Sequence, residues 1–145
     1  MKPNTKVMLL DSLNKRIKFL DFIIEKLNLT KIYTIHLRAE EAGKNIKFRE
    51  QYDVVTARAV AAMPQLVEYM LPLIHVGGKC ICMKGSNIDE LEESKEIIQN
   101  LGGKIKQIDK IKLPYTEFER NIIIIEKIKN TPKQYPRKPN KIRQK

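Results

Sequence analysis

The sequence predicts an α/β fold in which a mostly parallel sheet ends in an antiparallel pair of strands. Short apolar runs alternate with amphipathic helical segments along most of the chain, which is typical of strand-helix-strand units. No helix is predicted between the last two strands, so we expect them to pair antiparallel. Together, these two observations favour a doubly wound, Rossmann-like sheet of the kind that class I methyltransferases use.

Each strand is predicted from a short apolar run bounded by polar residues or glycines. The predicted strands cover residues 7–10, 32–37, 52–59, 79–84, 104–113 and 121–128. Apolar residues at helical spacing predict helices over residues 13–27, 62–73 and 88–101, and a short helix is expected within 40–44. This pattern predicts a domain of residues 1–128 and a basic, proline-containing tail of residues 129–145.

Residues with special backbone preferences mark the ends of these elements. Ser12 and Asn87 are predicted to cap the helices that follow them, and Asn28 can adopt the left-handed conformation that closes a helix. Gly77-Gly78 is expected to break the chain before a strand, and Gly102-Gly103 to stop the last long helix.

The composition indicates a globular cytoplasmic protein without a metal site. No apolar run approaches the roughly 20 residues of a membrane helix, and the first residues lack a secretory signal. The only cysteines, Cys80 and Cys82, share one face of a predicted strand and are expected in the core. His36 and His75 lie in separate segments without ligand spacing, so we expect no metal. We also expect no membrane association and a monomer.

Much of the net charge of +11 is concentrated at the end of the chain. From Lys129 onward there are seven basic residues, three prolines and no acidic residue, which leaves +4 for residues 1–128. This composition predicts an extended segment that binds a polyanion such as RNA. A solvated terminus in a lysine-rich protein remains the alternative.

Candidate site residues follow the predicted strands, because doubly wound sheets bind ligands at the carboxyl ends of their strands. Asp11 could accept two hydrogen bonds from the ribose of a nucleoside, or it could cap the next helix. Glu40 follows the second strand, where it could contact a base or remain solvated. Arg58 lies among small and apolar residues, so its guanidinium is expected to reach a carboxylate or phosphate.

Several runs resemble the bacterial 16S ribosomal RNA guanine-N7 methyltransferase family, also called glucose-inhibited division protein B. The runs LLDSLNKR, TARAVA and YPRK are specific to that family, and the similarity also covers IHLRAEEAG, YDVVTARAVAAMPQLVEYMLPLIHVGGKCICMKG and LPYTEFERNIIIIEK. The resemblance implies S-adenosylmethionine as cofactor and a guanine in 16S ribosomal RNA of the small subunit as substrate. It implies cofactor contacts from Asp11, Ser12, Ala39, Glu40 and Arg58. It implies RNA contacts from Lys84, Arg120, Arg137 and Lys138.

The family carries a strand and a glycine-rich loop roughly 20 residues ahead of its acidic position, the usual fingerprint spacing. Only ten residues precede Asp11. We therefore expect this central strand and its loop to be missing, which would either leave a gap or let the flanking strands pair. We also expect poor cofactor binding by this chain alone, so a noncatalytic RNA-binding remnant stays open beside the enzyme; a methyltransferase acting on a small molecule is a weaker option.

Transfer to guanine N7 explains why the sequence has no evident catalytic base. N7 carries a lone pair and no proton, so attack on a sulfonium methyl group requires positioning and not proton removal. We therefore predict no catalytic residue in the acid-base sense.

Overall fold

The computed structural model describes residues 5–58, 62–84, 90–112, 114–116 and 119–142, in which strands and helices alternate. In chain order the elements are β1 (Val7–Asp11), α1 (Asn14–Lys26), β2 (Ile32–His36), α2 (Ala39–Ala42), β3 (Tyr52–Arg58), α3 (Met63–Met70), β4 (Ile74–Lys84), α4 (Glu90–Asn100), β5 (Gly103–Lys112), β6 (Glu119–Lys127) and α5 (Pro139–Ile142). A 3₁₀ turn, Leu71–Leu73, joins α3 to β4. Each predicted strand is confirmed, with small shifts at most ends and an earlier start for β4.

The described strands form two sheets. β1 and β2 pair in parallel, with Val7 opposite Ile32 and Asp11 opposite His36. The second sheet has the order β3-β4-β6-β5, in which β3 and β4 are parallel and β6 runs antiparallel to both of its neighbours. The predicted antiparallel ending is therefore confirmed.

β1 and β3 each have one paired neighbour among the described strands, and they do not pair with each other. The sequence left open either a gap in place of the central strand or direct pairing of the strands on its two sides. Direct pairing of β1 with β3 does not occur. Leu10 at the end of β1 and Val54 in β3 remain 36% and 50% exposed, so apolar side chains accompany these unpaired edges.

The hydrophobic core lies on one face of the four-stranded sheet. Cys80 and Cys82 of β4 face the same side as Ile123 and Ile125 of β6, and α3 packs against them together with α4. Both cysteines are fully buried and unpaired by disulfide, which confirms their predicted core position. The thiols lie 3.5 Å apart, next to the sulfur of Met70.

Several predicted boundaries differ from the structure. Gly77-Gly78 lies inside β4 and not before it, but the pairing of β4 with β3 is interrupted there, since Tyr52 pairs with Ile74 and Val54 with Lys79. A side chain on Gly78 would collide with the carbonyl oxygen of Asp53. Ser12 is not the N-cap of α1: Leu13 has that position, and its amide donates to Asp11. The expected closing role of Asn28 is confirmed by its positive φ of 50°, whereas Asn87 lies outside the described residues.

The apolar face of α1 is only partly covered. Ile17 is buried, whereas Leu13 and Leu27, predicted on the same face, are 50% and 63% exposed. Phe19 and Phe22 are also more than half exposed. The helix therefore contacts the β1-β2 sheet through a narrow stripe, although its sequence has a wider apolar face.

The segment after β6 packs against the domain instead of extending away from it. Arg49 donates to the carbonyl oxygens of Thr131, Pro132 and Tyr135 at 2.6–3.0 Å, and it also donates to Gly43. Thr131 is buried and its hydroxyl donates to the carbonyl of Leu101. This differs from the extended segment expected from its prolines, because those residues supply backbone acceptors to an arginine from a distant loop.

Lys127 is a buried cation at the end of β6. Its ammonium donates to the carbonyl oxygens of Leu71 and Ile74, each at 2.8 Å, and lies 3.4 Å from the carboxylate of Glu50. Burial lowers the pKa of Lys127 to about 8, although the neighbouring Glu50 carboxylate opposes that shift. Lys127 thus links the 3₁₀ turn to β6 through hydrogen bonds, although removing its charge from water opposes folding.

We expect Lys127→Met to lower the free energy of unfolding by about 3–5 kcal/mol, the range for removing one partner of a buried ion pair. The two carbonyls would lose their donor and Glu50 its cation. Urea unfolding measures the change. Lys129→Met, at an exposed position two residues away, is the matched control and should change stability by no more than about 0.5 kcal/mol. Equal effects of the two substitutions would contradict this account.

The stability difference between wild type and Lys127→Met should also grow between about pH 8 and pH 10. The folded-state pKa of about 8 lies below the ordinary value of 10.5, so in this window the unfolded chain binds more protons than the folded one. Deprotonation of Lys127 therefore removes the cost of burying its charge as pH rises. The Lys127→Met variant lacks this group, so only the wild type gains stability. A difference that stays constant across this window would show that Lys127 does not titrate there.

Candidate active site

The residues that follow the strands lie at the carboxyl edges of the two sheets. β1 and β2 end in register at Asp11 and His36, and β3 and β4 end at Arg58 and Lys84, with Arg58 opposite Met83. In open α/β sheets this edge is where ligands bind.

Asp11 has both a local role and remaining acceptor capacity. One carboxylate oxygen accepts the amide hydrogen of Leu13 at 2.9 Å, and the other lies 3.5 Å from the guanidinium of Arg16. The Arg16 side chain is 67% exposed, so solvent weakens that ion pair. Because a carboxylate offers about four lone-pair positions, Asp11 can start α1 and still accept hydrogen bonds from ribose hydroxyls. The two interpretations of Asp11 are compatible.

Ser12 and His36 connect the ends of β1 and β2. The Nε2 atom of His36 donates to the backbone carbonyl of Ser12 at 2.9 Å, and the amide of Leu37 donates to the carbonyl of Asp11 at 3.1 Å. These bonds fix the backbone of the turn that follows Asp11. The importance of His36 for this turn was not visible in the sequence.

Ala39 and Glu40 begin the four-residue helix α2. The side chain of Glu40 is only 11% exposed, and its carboxylate lies 3.9 Å from the guanidinium of Arg38. Glu40 is therefore held against the protein and is not the freely solvated loop residue of the alternative interpretation.

Arg58, Lys84 and Arg120 lie at one end of the four-stranded sheet. Arg58 ends β3 through its backbone pairing, while its side chain lies outside the described part of the structure. Lys84 is half-buried and opposite Asn121, and the guanidinium of the exposed Arg120 donates to the carbonyl of Glu119. The structure thus brings two of the predicted RNA-binding residues to the edge where β3 ends.

Arg137 and Lys138 have different environments although they are adjacent. The guanidinium of Arg137 binds the fully buried carboxylate of Glu68 through both of its oxygens at 2.8–3.1 Å, and the Arg137 amide donates to the same carboxylate at 2.7 Å. This interaction raises the pKa of Arg137. Lys138 is exposed. Arg137 is therefore committed to an internal ion pair, and Lys138 points its charge toward solvent.

Three residues that form internal charge contacts were not identified from the sequence: Glu68, Lys127 and Arg49. Glu68 lies within the apolar helix segment LVEYM, where an acid without an obvious reason for burial is the available signal. Lys127 follows the inward-facing positions 121, 123 and 125 at strand periodicity, which also indicates burial. Arg49 gave no such signal, because its contacts are far apart in the chain.

Among the described residues, no cluster of three or more His, Cys, Asp or Glu side chains could hold a metal ion. The same part of the chain contains no helix that is long and apolar enough to cross a membrane.

The fold is that of class I methyltransferases that use S-adenosylmethionine. The structure superimposes on TrmN from Thermus thermophilus with a TM-score of 0.65 at 14% identity, over 88% of this chain and 38% of that one. It superimposes on Aeropyrum pernix fibrillarin in complex with S-adenosylmethionine with a TM-score of 0.65 at 12% identity, over 86% of this chain and 56% of that one. These similarities confirm the predicted Rossmann-like fold class.

The chain belongs to the rRNA small subunit methyltransferase G family, whose model matches residues 1–123. Curated relatives of that name are 51% identical over 139 residues in Acetivibrio thermocellus and 49% identical over 143 residues in Lactobacillus johnsonii. Each alignment covers 96% of this chain, and they cover 57% and 60% of those relatives. The family resemblance read from the sequence is thereby confirmed, over a chain that spans less than two thirds of these relatives' length.

We expect Arg137→Ala to destabilise the folded protein by about 3–5 kcal/mol, because it leaves the Glu68 carboxylate buried without its cation. Urea unfolding measures the change. The adjacent Lys138→Ala is the matched control, since its exposed charge has no buried partner and should matter little. The double variant Arg137→Leu with Glu68→Leu should recover part of the loss by removing both charges. Equal stabilities of Arg137→Ala and Lys138→Ala would contradict the ion pair's importance.

Proposed function

We propose that this chain acts in the S-adenosylmethionine-dependent transfer of a methyl group to N7 of a guanine in 16S ribosomal RNA. Family membership over residues 1–123 is the observation that carries the proposal. The relatives are named for methylation of small-subunit ribosomal RNA, so we propose the small ribosomal subunit or its RNA as partner. Work on ribosomal RNA supports a cytoplasmic location, and we propose a monomer.

The cofactor would be held at the ends of β1, β2 and β3. Asp11 would accept hydrogen bonds from ribose hydroxyls, with Ser12 shaping the turn beside it. Ala39 and Glu40 would contact the adenine side, where the low exposure of Glu40 supports an ordered contact. Arg58 would pair with the cofactor's carboxylate. When bound, S-adenosylmethionine supplies an electrophilic methyl group.

The residues of this chain would orient the reactants and would not move a proton. Guanine N7 carries an available lone pair, so the rate enhancement would come from proximity and in-line alignment. Positive charge moves onto the purine during transfer, and an unpaired cation next to N7 would oppose that change. Lys84 and Arg58 would therefore serve phosphate and carboxylate groups and lie away from the reacting nitrogen.

RNA would be bound by cations at the same edge and on the C-terminal segment. Lys84, Arg120 and Lys138 would contact phosphates, which requires charge without base specificity. Arg137 would contribute mainly by holding Lys138 in place, because its guanidinium and its amide both bind Glu68.

A noncatalytic RNA-binding function is the second candidate. It is favoured by one observation: the proposed cofactor residues lie on two sheets, and β1 of one sheet does not pair with β3 of the other. A chain in this state could keep the basic surface without holding the cofactor firmly.

Deleting the coding segment for this chain from its native genome should abolish one 7-methylguanosine in 16S ribosomal RNA, detected by mass spectrometry of the digested RNA. Reintroducing the native gene should restore the modification.

Arg58→Ala should weaken cofactor binding by about 1.5–3 kcal/mol, the range for a charged hydrogen bond, and so reduce methylation when S-adenosylmethionine is limiting.

Asp53→Asn is the control for that substitution, because Asp53 is a charged residue near the opposite end of β3. It should leave methylation unchanged. Full methylation after the deletion would refute the enzymatic proposal. Crosslinking of the chain to 16S ribosomal RNA in the undeleted strain would then support the noncatalytic one.

A further inference from the structure

Basic residues of β4 and β5 lie in one row at the end of the sheet where β4 ends. Lys84 of β4 and Lys110 of β5 are both paired with Asn121 of β6, so the three positions form one row. With neighbouring strands about 4.8 Å apart, the backbones of the two lysines lie roughly 10 Å from each other. Lys112 continues this pattern, since it lies two residues beyond Lys110 and on the same face of β5.

An aromatic residue projects from the connection between β5 and β6. Tyr115 has a relative exposure of 107%, the highest of the large hydrophobic side chains that the structure describes as exposed. Its φ is +64°, a left-handed conformation that is uncommon for a bulky residue. Asn28, Lys31 and Glu50 also have positive φ values, so this conformation by itself does not mark a functional site. Here the conformation presents an uncovered aromatic ring beyond the end of the basic row.

We propose that Tyr115 stacks on an unpaired RNA base next to the target nucleotide, while Lys110 and Lys112 bind the flanking phosphates. This inference rests on the RNA substrate proposed above and assigns to it a contact surface outside the cofactor edge. Aromatic side chains flanked by cations are the usual means of binding unstacked bases, since every base offers a flat face and every nucleotide a phosphate.

The position of the tyrosine indicates a flanking base and not the reacting guanine. β5 and β6 lie on the far side of β4 from β3, so the connection is separated from the end of β3 by more than one strand spacing. A base stacked on Tyr115 would fix the position of the RNA along the protein. The neighbouring nucleotide would then bind at the edge where β3 and β4 end.

The charges around Tyr115 favour RNA over an acidic or apolar protein surface. Asp109, the nearest described acid on β5, accepts two hydrogen bonds from the Gln107 amide at 2.8 and 2.9 Å. Glu119 lies opposite Lys112. Lys84, Lys110, Lys112 and Arg120 outnumber Asp109, Glu119 and the sequence neighbour Glu117. A single exposed ring also offers little area for a stable protein interface.

The test compares RNA binding by wild type, Tyr115→Ala and Tyr115→Phe. Fluorescence anisotropy would measure affinity for a short, fluorescein-labelled single-stranded RNA of mixed sequence and for the same backbone with abasic sugars. Tyr115→Ala should weaken binding to the normal RNA roughly tenfold and leave binding to the abasic RNA unchanged. Tyr115→Phe should bind as wild type does, because the ring is retained. Tyr33→Ala, another exposed tyrosine on β2, should have no effect.

The phosphate contacts are tested by salt dependence. Lys110→Ala with Lys112→Ala should flatten the slope of log affinity against log salt by about 0.7 for each phosphate that the variant no longer neutralises. Lys15→Ala with Lys18→Ala removes two exposed lysines of α1 and should leave the slope unchanged. Equally weakened binding to normal and abasic RNA, or unchanged binding by Tyr115→Ala, would overturn the stacking role while leaving the methyltransferase proposal intact. A wild-type chain that binds neither RNA would overturn this proposal and also count against the proposed RNA contacts.

Discussion

Burying a charged side chain is costly unless a partner and hydrogen bonds are supplied, and the described part of this chain buries two such groups, Glu68 and Lys127. Glu68 is balanced by Arg137 from the C-terminal segment. Lys127 is balanced by Glu50 and by two carbonyl oxygens around the 3₁₀ turn. The neighbouring Arg49 binds the carbonyls of the same C-terminal segment. The placement of this segment on the domain therefore follows largely from the need to neutralise internal charge.

This constraint changes how the basic C-terminal segment could meet RNA. A free cationic chain would track a phosphate backbone in many conformations and would lose conformational entropy on binding. Here the segment around Arg137 is already ordered, so the exposed Lys138 is offered from a defined position. Binding would then depend on where the charges lie as well as on how many there are. The row of lysines at the end of β4 and β5 has the same property, because strand pairing fixes its spacing.

The candidate active site depends on strand register in a similar way. Asp11 and His36 are opposite each other in the ladder, and the bonds from His36 to Ser12 and from Leu37 to Asp11 hold the turn that carries the proposed ribose acceptor. The sequence allowed the acidic and small residues after each strand to be chosen as candidates, because the edge of a doubly wound sheet is predictable from strand order alone. It offered ribose binding and helix capping as alternatives for Asp11, and base contact or solvation as alternatives for Glu40. Only the distances between atoms show that Asp11 binds the amide of Leu13 and that Glu40 is held against the protein.

Local sequence by itself determined the order of strands and helices, the antiparallel ending and the burial of Cys80 and Cys82, because apolar periodicity reports which side of an element faces the core. It also carried the family resemblance. Only the tertiary structure decided that Gly77-Gly78 lies within β4, that β1 and β3 do not pair with each other among the described strands, and that Arg137 points inward to Glu68. Those outcomes depend on contacts between residues far apart in the chain. Glu68 and Arg137 are separated by 69 positions, and no local pattern encodes which distant charge will neutralise a buried one.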